Sequence, residues 1–393
     1  CESLCTYCGC NTRITKNHKV EEPYINAVLK EWDSYLEVFR QKPQIKEIHL
    51  GGGTPTFFSP QNLGQLLKGI LAKADIHTEA EFSFEAHPNN TSEAHLKALA
   101  EVGFRRLSLG IQDFDPKVQF IINRIQTFEQ VLEVTKQARA LGYDSINYDL
   151  IYGLPLQNAT GLRKTIGKIT QLKPDRIAFY SYAHVPWVKP GQRKFTEEHL
   201  PSPEEKQELY EMGRRLLVAD GYEEIGMDHF ALATDSLATA EKSGKLHRNF
   251  MGYTHQYTQV LVGLGVSSIG DIGTGFAQNE KKVEDYMQRA LKGEFPISKG
   301  HVLSAEDLLI RKHILNMMCT GETSWTAHDL DQEKLALILE RLQVLEADGL
   351  VQIGPGQLKV TPIGKRFLRN ICMAFDIHLW ENQPDTQLFS MAG

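Results

Sequence analysis

The sequence predicts an α/β fold with a parallel sheet, open or curled towards a barrel, followed by a smaller, mostly helical domain. Over the first two-thirds of the chain, short β-like segments alternate with amphipathic helical segments. This alternation is typical of parallel sheets with crossover helices. After about residue 200 the alternation stops, and helices followed by a two-stranded wing predict a winged-helix-like part at 303–372.

Five β-like segments define the predicted sheet. Each is rich in Ile, Leu, Phe or Tyr and is bounded by Gly, Pro or polar residues. The predicted strands are Lys46–Leu50, Glu81–Ala86, Arg106–Ile111, Ser145–Ile151 and Arg176–Ser181. Apolar residues recur at steps of three or four between them, as in Ile25, Leu29, Trp32, Leu36 and Phe39, which predicts amphipathic helices.

Helix caps and changes of pattern mark the remaining organisation. Asn90 with Glu93, and Ser202 with Glu205, are predicted N-caps that have a carboxylate three residues on. We predict a helix over 203–220, an irregular stretch over 226–279, and helices from Ser304 to Gly349. Leu350–Val360 then forms the wing. The predicted domains are residues 1–225 and 226–393.

Polar residues gather where the predicted strands end. A glycine-rich segment, Gly51–Pro55, follows the first strand, and Glu85, Gln112 and Asp149 lie at or near the ends of the next three. In parallel sheets and barrels, ligands bind at the carboxyl ends of the strands. The sequence therefore predicts a binding site at this edge of the sheet.

Composition narrows the class of protein. The 393 residues carry a formal net charge of −6, which argues against nucleic acid or an acidic membrane surface as a partner. No apolar run reaches the roughly 18–20 residues that a membrane span needs. Four of the six cysteines fall within the first ten residues, a distribution unlike a disulfide scaffold. We expect a cytoplasmic protein whose clustered thiolates bind metal.

The spacing of Cys1, Cys5 and Cys8 predicts a [4Fe–4S] cluster with one iron left open. Three thiolates in a short loop can each bind a different iron of the cubane. Cys10 is a potential fourth ligand, but the Cys8-Gly9-Cys10 step leaves little slack to reach the remaining iron. A zinc site, disulfides or free thiols stay open as alternatives.

The cysteine spacing followed by Gly51-Gly52-Gly53-Thr54-Pro55 resembles the radical S-adenosylmethionine superfamily. Within it, the chain is similar to the oxygen-independent coproporphyrinogen III oxidases of heme biosynthesis from Cys1 to about Asp376. The segments that carry this resemblance are Cys8–Asn11, Gly226–Ala231, His247–Thr254 and Arg369–Met373.

The resemblance implies a partial (β/α)6 TIM-like barrel and an oxidoreductase activity. Such an enzyme cleaves S-adenosylmethionine to a 5′-deoxyadenosyl radical and converts two propionates of coproporphyrinogen III to vinyl groups, giving protoporphyrinogen IX. It implies a [4Fe–4S] cluster, two S-adenosylmethionine molecules per chain, and an electron donor such as flavodoxin or ferredoxin. We expect a monomer.

The resemblance also implies site residues. Cys1, Cys5 and Cys8 are the expected cluster ligands. The expected contacts to the first S-adenosylmethionine are Tyr7, Gly52, Gly53, Thr54, Glu85, Gln112, Arg124 and Asp149. Ala183 and Ile269 match positions near the second molecule, and plain core packing is an equal alternative for both. Arg248 and His229 are candidates to bind a propionate and to move a proton, with structural hydrogen bonding as an equal alternative.

The sequence departs from the family pattern in two places, and three alternative functions remain to be considered. The chain begins after the leading barrel strand expected from the family, and His87 stands where the family has an acidic residue. His87 is either a weakened site contact or a capping variation. The rivals are a heme-trafficking relative, a radical methyltransferase that opens heme, and a zinc-stabilised interaction module. Cys10 and the segment around Arg248 favour the oxidase.

Overall fold

The computed structural model describes residues 1–326, 329 and 331–381. The helices are α1 (Glu21–Val38), α2 (Pro60–Leu71), α3 (Glu93–Glu101), α4 (Pro116–Ile121), α5 (Phe128–Ala140), α6 (Ala159–Leu172), α7 (Pro203–Ala219), α8 (Ser236–Lys242), α9 (Val283–Leu291), α10 (Ala305–Thr320), α11 (Gln332–Ala347), α12 (Leu368–Met373) and α13 (Ile377–Glu381). No helix of the described part is long and apolar enough to cross a membrane.

The first four strands are the longest of those in the described residues. They are β1 (Gln44–Leu50), β2 (Asp75–Ala86), β3 (Phe104–Gln112), β4 (Ser145–Tyr152), β5 (Arg176–Ser181), β6 (Tyr222–Gly226), β7 (His229–Leu232), β8 (His247–Asn249), β9 (Gly252–Thr254), β10 (Ile269–Asp271), β11 (Gly275–Asn279), β12 (Ile297–Val302), β13 (Glu322–Ser324), β14 (Val351–Gly354) and β15 (Gln357–Val360).

Strands β1 to β5 form a parallel sheet in chain order. Each predicted strand is present, extended by a few residues in four cases and with the predicted bounds in β5. Phe84, Leu109 and Leu150 are completely buried, which supplies the hydrophobic driving force for the sheet. The predicted parallel α/β fold is confirmed, and all five strands end at one edge.

Contacts divide the chain into two units that differ from the predicted domains. The first unit comprises residues 1–222 and 258–300, and the second comprises residues 223–257 and those from 301 onward. The predicted single boundary at 225 placed residues 258–300 in the second domain. The structure gives them to the first unit because α9 packs on α1.

A buried carboxylate, Glu31 of α1, explains why residues 258–300 stay with the first unit. Its oxygens accept hydrogen bonds from the Gly265 backbone N–H at 2.9 Å, the Tyr286 hydroxyl at 2.6 Å and the Asn279 amide at 2.7 Å. Burial raises the pKa of Glu31, opposed by these hydrogen bonds. A buried carboxylate of this kind is tolerated only with such partners. Because these partners are far away in sequence, a local sequence pattern could not assign residues 258–300 to the first unit.

One of the two predicted caps is confirmed. Ser202 caps α7, and Glu205 completes the reciprocal capping box. The prediction of Asn90 as a cap was wrong: α3 is capped by Ser92, whose side chain accepts a hydrogen bond from the His95 backbone. The imidazole of His95 takes the place that Glu or Gln usually occupies in a capping box. A search for a capping residue followed three positions later by a carboxylate therefore missed Ser92.

The second unit contains the predicted winged-helix-like part. Helix α10, strand β13, helix α11 and the β14–β15 hairpin follow one another, and the three strands form an antiparallel sheet in the order β13-β15-β14. Met317, Leu342, Leu358 and Ile371 form its core. Between residues 226 and 279, where the sequence predicts irregular structure, the chain forms five short strands and α8.

Candidate active site

The cysteine loop at residues 1–10 is anchored to the end of α4. The Thr6 backbone N–H donates to the Ile122 carbonyl, and the Thr6 hydroxyl donates to the Ile121 carbonyl, both at 2.9 Å. The Asn123 amide donates to the Leu4 carbonyl at 2.7 Å. Asn123 adopts a left-handed backbone conformation with a φ of 53°, which asparagine tolerates well. These bonds fix the loop without a strand of its own.

All three predicted ligand cysteines lie on this loop as free thiols with polar neighbours. The Cys1 sulfur is 3.3 Å from the Thr54 hydroxyl, and the Cys5 sulfur accepts from an Arg124 nitrogen at 3.7 Å. The Cys8 sulfur accepts from the Cys10 backbone N–H at 3.4 Å. A short loop that presents three thiols with hydrogen-bond donors suits an iron–sulfur cluster.

Cys8 and Cys10 have opposite protonation preferences. A hydrogen bond from the Cys10 side chain lowers the pKa of Cys8 to about 6, against the opposing effect of burial. The same hydrogen bond, followed by burial, raises the pKa of Cys10. Because metals bind the thiolate form, the hydrogen bond from Cys10 favours the form of Cys8 that a metal needs.

The glycine-rich turn after β1 lies against both the cysteine loop and the end of β2. The Gly52 backbone N–H donates to the Glu85 carboxylate at 3.2 Å, and Gly52 has a φ of 98°, which favours glycine. A Cβ atom at Gly53 would lie 3.4 Å from the Cys1 sulfur. Of the predicted contacts, Gly53 and Thr54 therefore border Cys1, and Gly52 is bonded to Glu85.

A row of polar side chains crosses the sheet at its carboxyl edge. Glu85, Ser108 and Asn147 are register partners on β2, β3 and β4. Asp149 accepts hydrogen bonds from the Ser108 hydroxyl at 3.0 Å and the Asn147 amide at 2.8 Å. Burial and then the negative charge of Glu85 raise the pKa of Asp149 to about 6. The sequence thus correctly predicted that Glu85 and Asp149 share one edge.

Gln112 and Arg124 place unpaired polar atoms at the same edge. Gln112 is buried with a φ of 61°, and its Oε1 has no hydrogen-bond partner within the described residues. Arg124 donates to the Gly110 carbonyl at 2.5 Å, yet its buried Nε also lacks a partner in that part of the chain. Because buried polar atoms are normally hydrogen-bonded, this pair indicates room for a polar ligand.

Tyr7 and Ala183 are linked through one glutamine. The Gln192 amide donates to the Tyr7 carbonyl at 3.0 Å and to the Ala183 carbonyl at 3.2 Å. Burial raises the pKa of the Tyr7 hydroxyl, so the phenol stays neutral. Ile269, in contrast, pairs with Gln278 in the separate sheet β10–β12, and no hydrogen bond of the described residues joins it to the strand ends.

Sequence reasoning missed three side chains that support this edge: Ser108, Asn147 and Gln192. For Asn147 a signal was present, because it is two residues before Asp149 and thus points to the same face of β4. The nearest surroundings of His87 favour the capping interpretation, since its Nδ1 accepts from the Asn89 backbone at 3.1 Å. Burial and then Arg124 lower the pKa of His87 to about 3.

The second unit carries a polar cluster of its own. Arg369 donates to the Asp228 carboxylate at 2.8 Å, and the Arg248 guanidinium lies over the Tyr253 ring at 4.6 Å. The His229 ring meets the Tyr253 ring edge-on at 5.4 Å. Burial, and secondarily Arg248, lower the pKa of His229 to about 3, which makes it a neutral imidazole near pH 7. These contacts account for part of the cluster only, because the buried Nη1 of Arg248 has no hydrogen-bond partner within the described residues.

The residues of the first unit fit a cubane cluster with S-adenosylmethionine. Three thiols leave one iron of a [4Fe–4S] cluster without a protein ligand. The glycine turn leaves space beside Cys1, and the partnerless Gln112 and Arg124 atoms offer an acceptor and a donor. A closed zinc site would need a fourth ligand.

Comparison with known proteins gives the same answer. Residues 1–169 match the model of the radical SAM superfamily. Oxygen-independent coproporphyrinogen III oxidase from Synechocystis is 39% identical over 404 aligned residues, which cover all of this chain and 86% of the relative. The enzyme of that name from Escherichia coli is 36% identical, over 96% of this chain and 84% of the relative. The chain belongs to the oxygen-independent coproporphyrinogen III oxidase family.

A solved structure supports the family at the level of the fold. Coproporphyrinogen III oxidase from Escherichia coli, described as a radical SAM enzyme, superimposes with a TM-score of 0.91 at 36% identity, covering 96% of this chain and 88% of the solved chain. The predicted fold class, a partial barrel followed by a winged-helix-like part, is thereby confirmed. As members of this family, such chains use a [4Fe–4S] cluster and S-adenosylmethionine.

Proposed function

We propose that this chain converts two propionate side chains of coproporphyrinogen III to vinyl groups without oxygen, giving protoporphyrinogen IX in heme biosynthesis. The observation that carries the proposal is the similarity to oxidases of this name along the whole chain. The three-thiol loop beside the carboxyl ends of a parallel sheet supports it, because this arrangement suits radical chemistry on S-adenosylmethionine.

Cys1, Cys5 and Cys8 are the proposed ligands of the cluster. Anchoring through Thr6 and Asn123 holds their loop in place, so little conformational entropy is lost when the metal binds. Arg124 lies beside the Cys5 sulfur and donates a hydrogen bond to it. When bound, the cluster and S-adenosylmethionine supply a 5′-deoxyadenosyl radical that takes hydrogen from the β-carbon of a propionate.

Two carboxylates and two other polar side chains are the proposed contacts for S-adenosylmethionine. Glu85 and Asp149 offer oxygens to an ammonium group or to ribose hydroxyls, and Glu85 also fixes the glycine turn through Gly52. Arg124 pairs with a carboxylate, and Gln112 donates or accepts through its amide. Gln112 and Arg124 are buried, and the exclusion of water strengthens their interactions, whereas the Glu85 side chain is partly exposed.

Tyr7, Gly52, Gly53 and Thr54 complete the proposed pocket. Without side chains, the glycines let the backbone approach the methionine end of the ligand. Tyr7, between two ligand cysteines, presents a ring to the adenosine. Ala183 is a proposed contact of a second S-adenosylmethionine, supported by its link to the Tyr7 carbonyl through one amide. Ile269 is kept as the remaining proposed contact on family resemblance alone.

The partners and setting follow from the reaction. Each decarboxylation takes up one electron to cleave S-adenosylmethionine and gives up one electron as CO2 leaves the substrate radical, so the reaction needs an electron acceptor as well as a donor. We propose a low-potential carrier such as flavodoxin or ferredoxin as donor. We also propose a monomer in the cytoplasm, where the ligand thiols stay reduced. The C-terminal residues from 226 onward are proposed to cover the substrate.

An anaerobic assay tests the function directly. Protein reconstituted with iron and sulfide is given coproporphyrinogen III, S-adenosylmethionine and a reductant. We expect 5′-deoxyadenosine, methionine and a product with two vinyl groups, and we expect Cys5→Ser to lose both the cluster and turnover. Formation of 5′-deoxyadenosine without vinyl product would instead assign the chain a different substrate, as in a heme-modifying or heme-trafficking relative.

A further inference from the structure

A second group of metal-binding side chains lies far in sequence from the cysteine loop. It consists of His301 at the end of β12, Asp307 in the first turn of α10, and His378 in α13. All three belong to the second unit. Neither the radical chemistry nor the family resemblance gives these residues a task.

The two imidazoles converge on one carboxylate. His378 Nε2 is 2.6 Å from one Asp307 oxygen, and His301 Nε2 is 3.2 Å from the other. One ligand atom from each residue lies within 4.8 Å of the others. The two rings are nearly perpendicular, at 86°, with centroids 5.9 Å apart. The same nitrogen of each ring therefore faces a common point from a separate element.

Local structure holds the carboxylate in position. The Ser304 backbone N–H and hydroxyl donate to Asp307 at 2.8 Å and 2.9 Å, which completes the capping box of α10. The cap explains why Asp307 is there and why its side chain is largely buried. It does not explain why two histidines from β12 and α13 direct their Nε2 atoms at it.

The chemistry of this group fits a divalent cation of the first transition row. With its proton on Nδ1, each neutral imidazole offers the Nε2 lone pair to a metal, and the carboxylate supplies an oxygen. Two imidazoles and one carboxylate are a usual protein ligand set for Zn²⁺, which completes its coordination with water. Both rings are exposed, so the ion and its water have access.

We propose that His301, Asp307 and His378 form a surface site for one Zn²⁺-like divalent cation. The cation takes the place of the proton that joins each Nε2 to the carboxylate; a neutral ring then carries its single proton on Nδ1, and a protonated ring releases one proton to solvent. Because the ligands come from β12, α10 and α13, the bound ion ties the C-terminal helix to the start of the winged-helix-like part.

A competition titration with Zn²⁺ and a coloured chelator tests the site. The cluster-loaded protein is used anaerobically, and its visible absorbance is followed so that metal exchange at the cysteine loop is detected. We expect one site per chain outside the cluster. His301→Gln and His378→Gln should each weaken it by at least about tenfold. His77→Gln, which changes a histidine on β2 of the first unit, is the control and should leave the affinity unchanged.

Several results would overturn the proposed cation site. A loss of less than tenfold in either histidine variant overturns the proposal, as does Zn²⁺ uptake that occurs only as cluster absorbance falls. Limited proteolysis gives a second readout, because the ion should protect the segment around α13 in the wild type and not in His378→Gln. Equal cleavage with and without Zn²⁺ would also contradict the proposed link.

Discussion

The Gly52 backbone N–H donates a hydrogen bond to the Glu85 carboxylate at 3.2 Å, which joins the glycine turn after β1 to the end of β2. Glu85 thus has two tasks, since it also offers a charge to the proposed cofactor pocket. Both tasks depend on an oxygen acceptor, but only the second depends on the negative charge.

Glu85→Gln separates these tasks. The amide oxygen keeps the bond to Gly52, while the charge available to an ammonium group is lost. We expect cluster content to stay at the wild-type level and the Kd for S-adenosylmethionine to rise about tenfold, or about 1.4 kcal/mol. Calorimetry on reconstituted protein measures this, with Glu79→Gln on the same strand as the control. An unchanged Kd would remove Glu85 from the proposed contacts.

Cys10→Ala tests whether the fourth cysteine of the loop is a ligand. Cys10 donates a hydrogen bond that lowers the pKa of Cys8, and its own pKa is raised. We expect Cys10→Ala to retain iron and sulfide in wild-type amounts, while Cys8→Ala loses them. Loss of a donor to a ligand sulfur should shift the cluster reduction potential to a more negative value. If Cys10→Ala also loses its iron, the three-ligand count is wrong.

Asp149→Asn should stabilise the cluster-free protein at neutral pH. The folded-state pKa of about 6 is above the ordinary value of 3.8, because burial and Glu85 disfavour the charge. The folded state therefore binds the proton more tightly, and stability is lost as pH rises from about 3.8 through 6. Above pH 7 we expect the free energy of unfolding of the variant to exceed that of the wild type by on the order of 1–3 kcal/mol. The difference should be smaller at lower pH.

Urea unfolding of both proteins across this pH range measures the difference. The same variant should bind S-adenosylmethionine poorly after reconstitution, because a site carboxylate kept at a cost in stability is expected to serve the ligand. A variant that is no more stable than the wild type above pH 7 would show that the Asp149 charge is already well solvated.

Gly110→Ala should act through Arg124 and Gln112. A Cβ atom at Gly110 would lie 2.7 Å from the Arg124 guanidinium and 2.9 Å from the Gln112 amide, so both side chains must move, and Arg124 leaves the Gly110 carbonyl and Cys5. We expect weaker cofactor binding and a raised KM for S-adenosylmethionine. Gly167→Ala in α6, where nothing lies within 4 Å, is the matched control. Equal kinetics in both variants would argue against a positioning role for Gly110.

Local patterns were enough to predict much of this site. The cysteine spacing, the glycine turn and the polar strand ends each depend on neighbours in sequence, and parallel pairing then brings Glu85, Gln112 and Asp149 to one edge. Hydrogen bonds over a long sequence separation were not predictable in this way. Gln192 reaches Tyr7, and Asn123 reaches Leu4, across more than a hundred residues each.

The errors have the same origin. The predicted boundary placed residues 258–300 in the second domain, whereas they belong to the first unit. The reason is that Glu31 forms hydrogen bonds with Gly265 and Asn279, more than two hundred residues away. The cap at Asn90 failed because His95 replaces the expected acid in the capping box of Ser92. In both cases the deciding partner is a residue whose type gives no local signal.

Isotope transfer tests the central claim most directly. Coproporphyrinogen III carrying deuterium on the β-carbons of its propionates is incubated anaerobically with the reconstituted protein, S-adenosylmethionine and a reductant. The proposed function predicts that the 5′-deoxyadenosine formed gains one deuterium, seen by mass spectrometry, while vinyl product appears. Unlabelled 5′-deoxyadenosine, formed together with intact substrate, would contradict the claim that this chain removes hydrogen from a propionate.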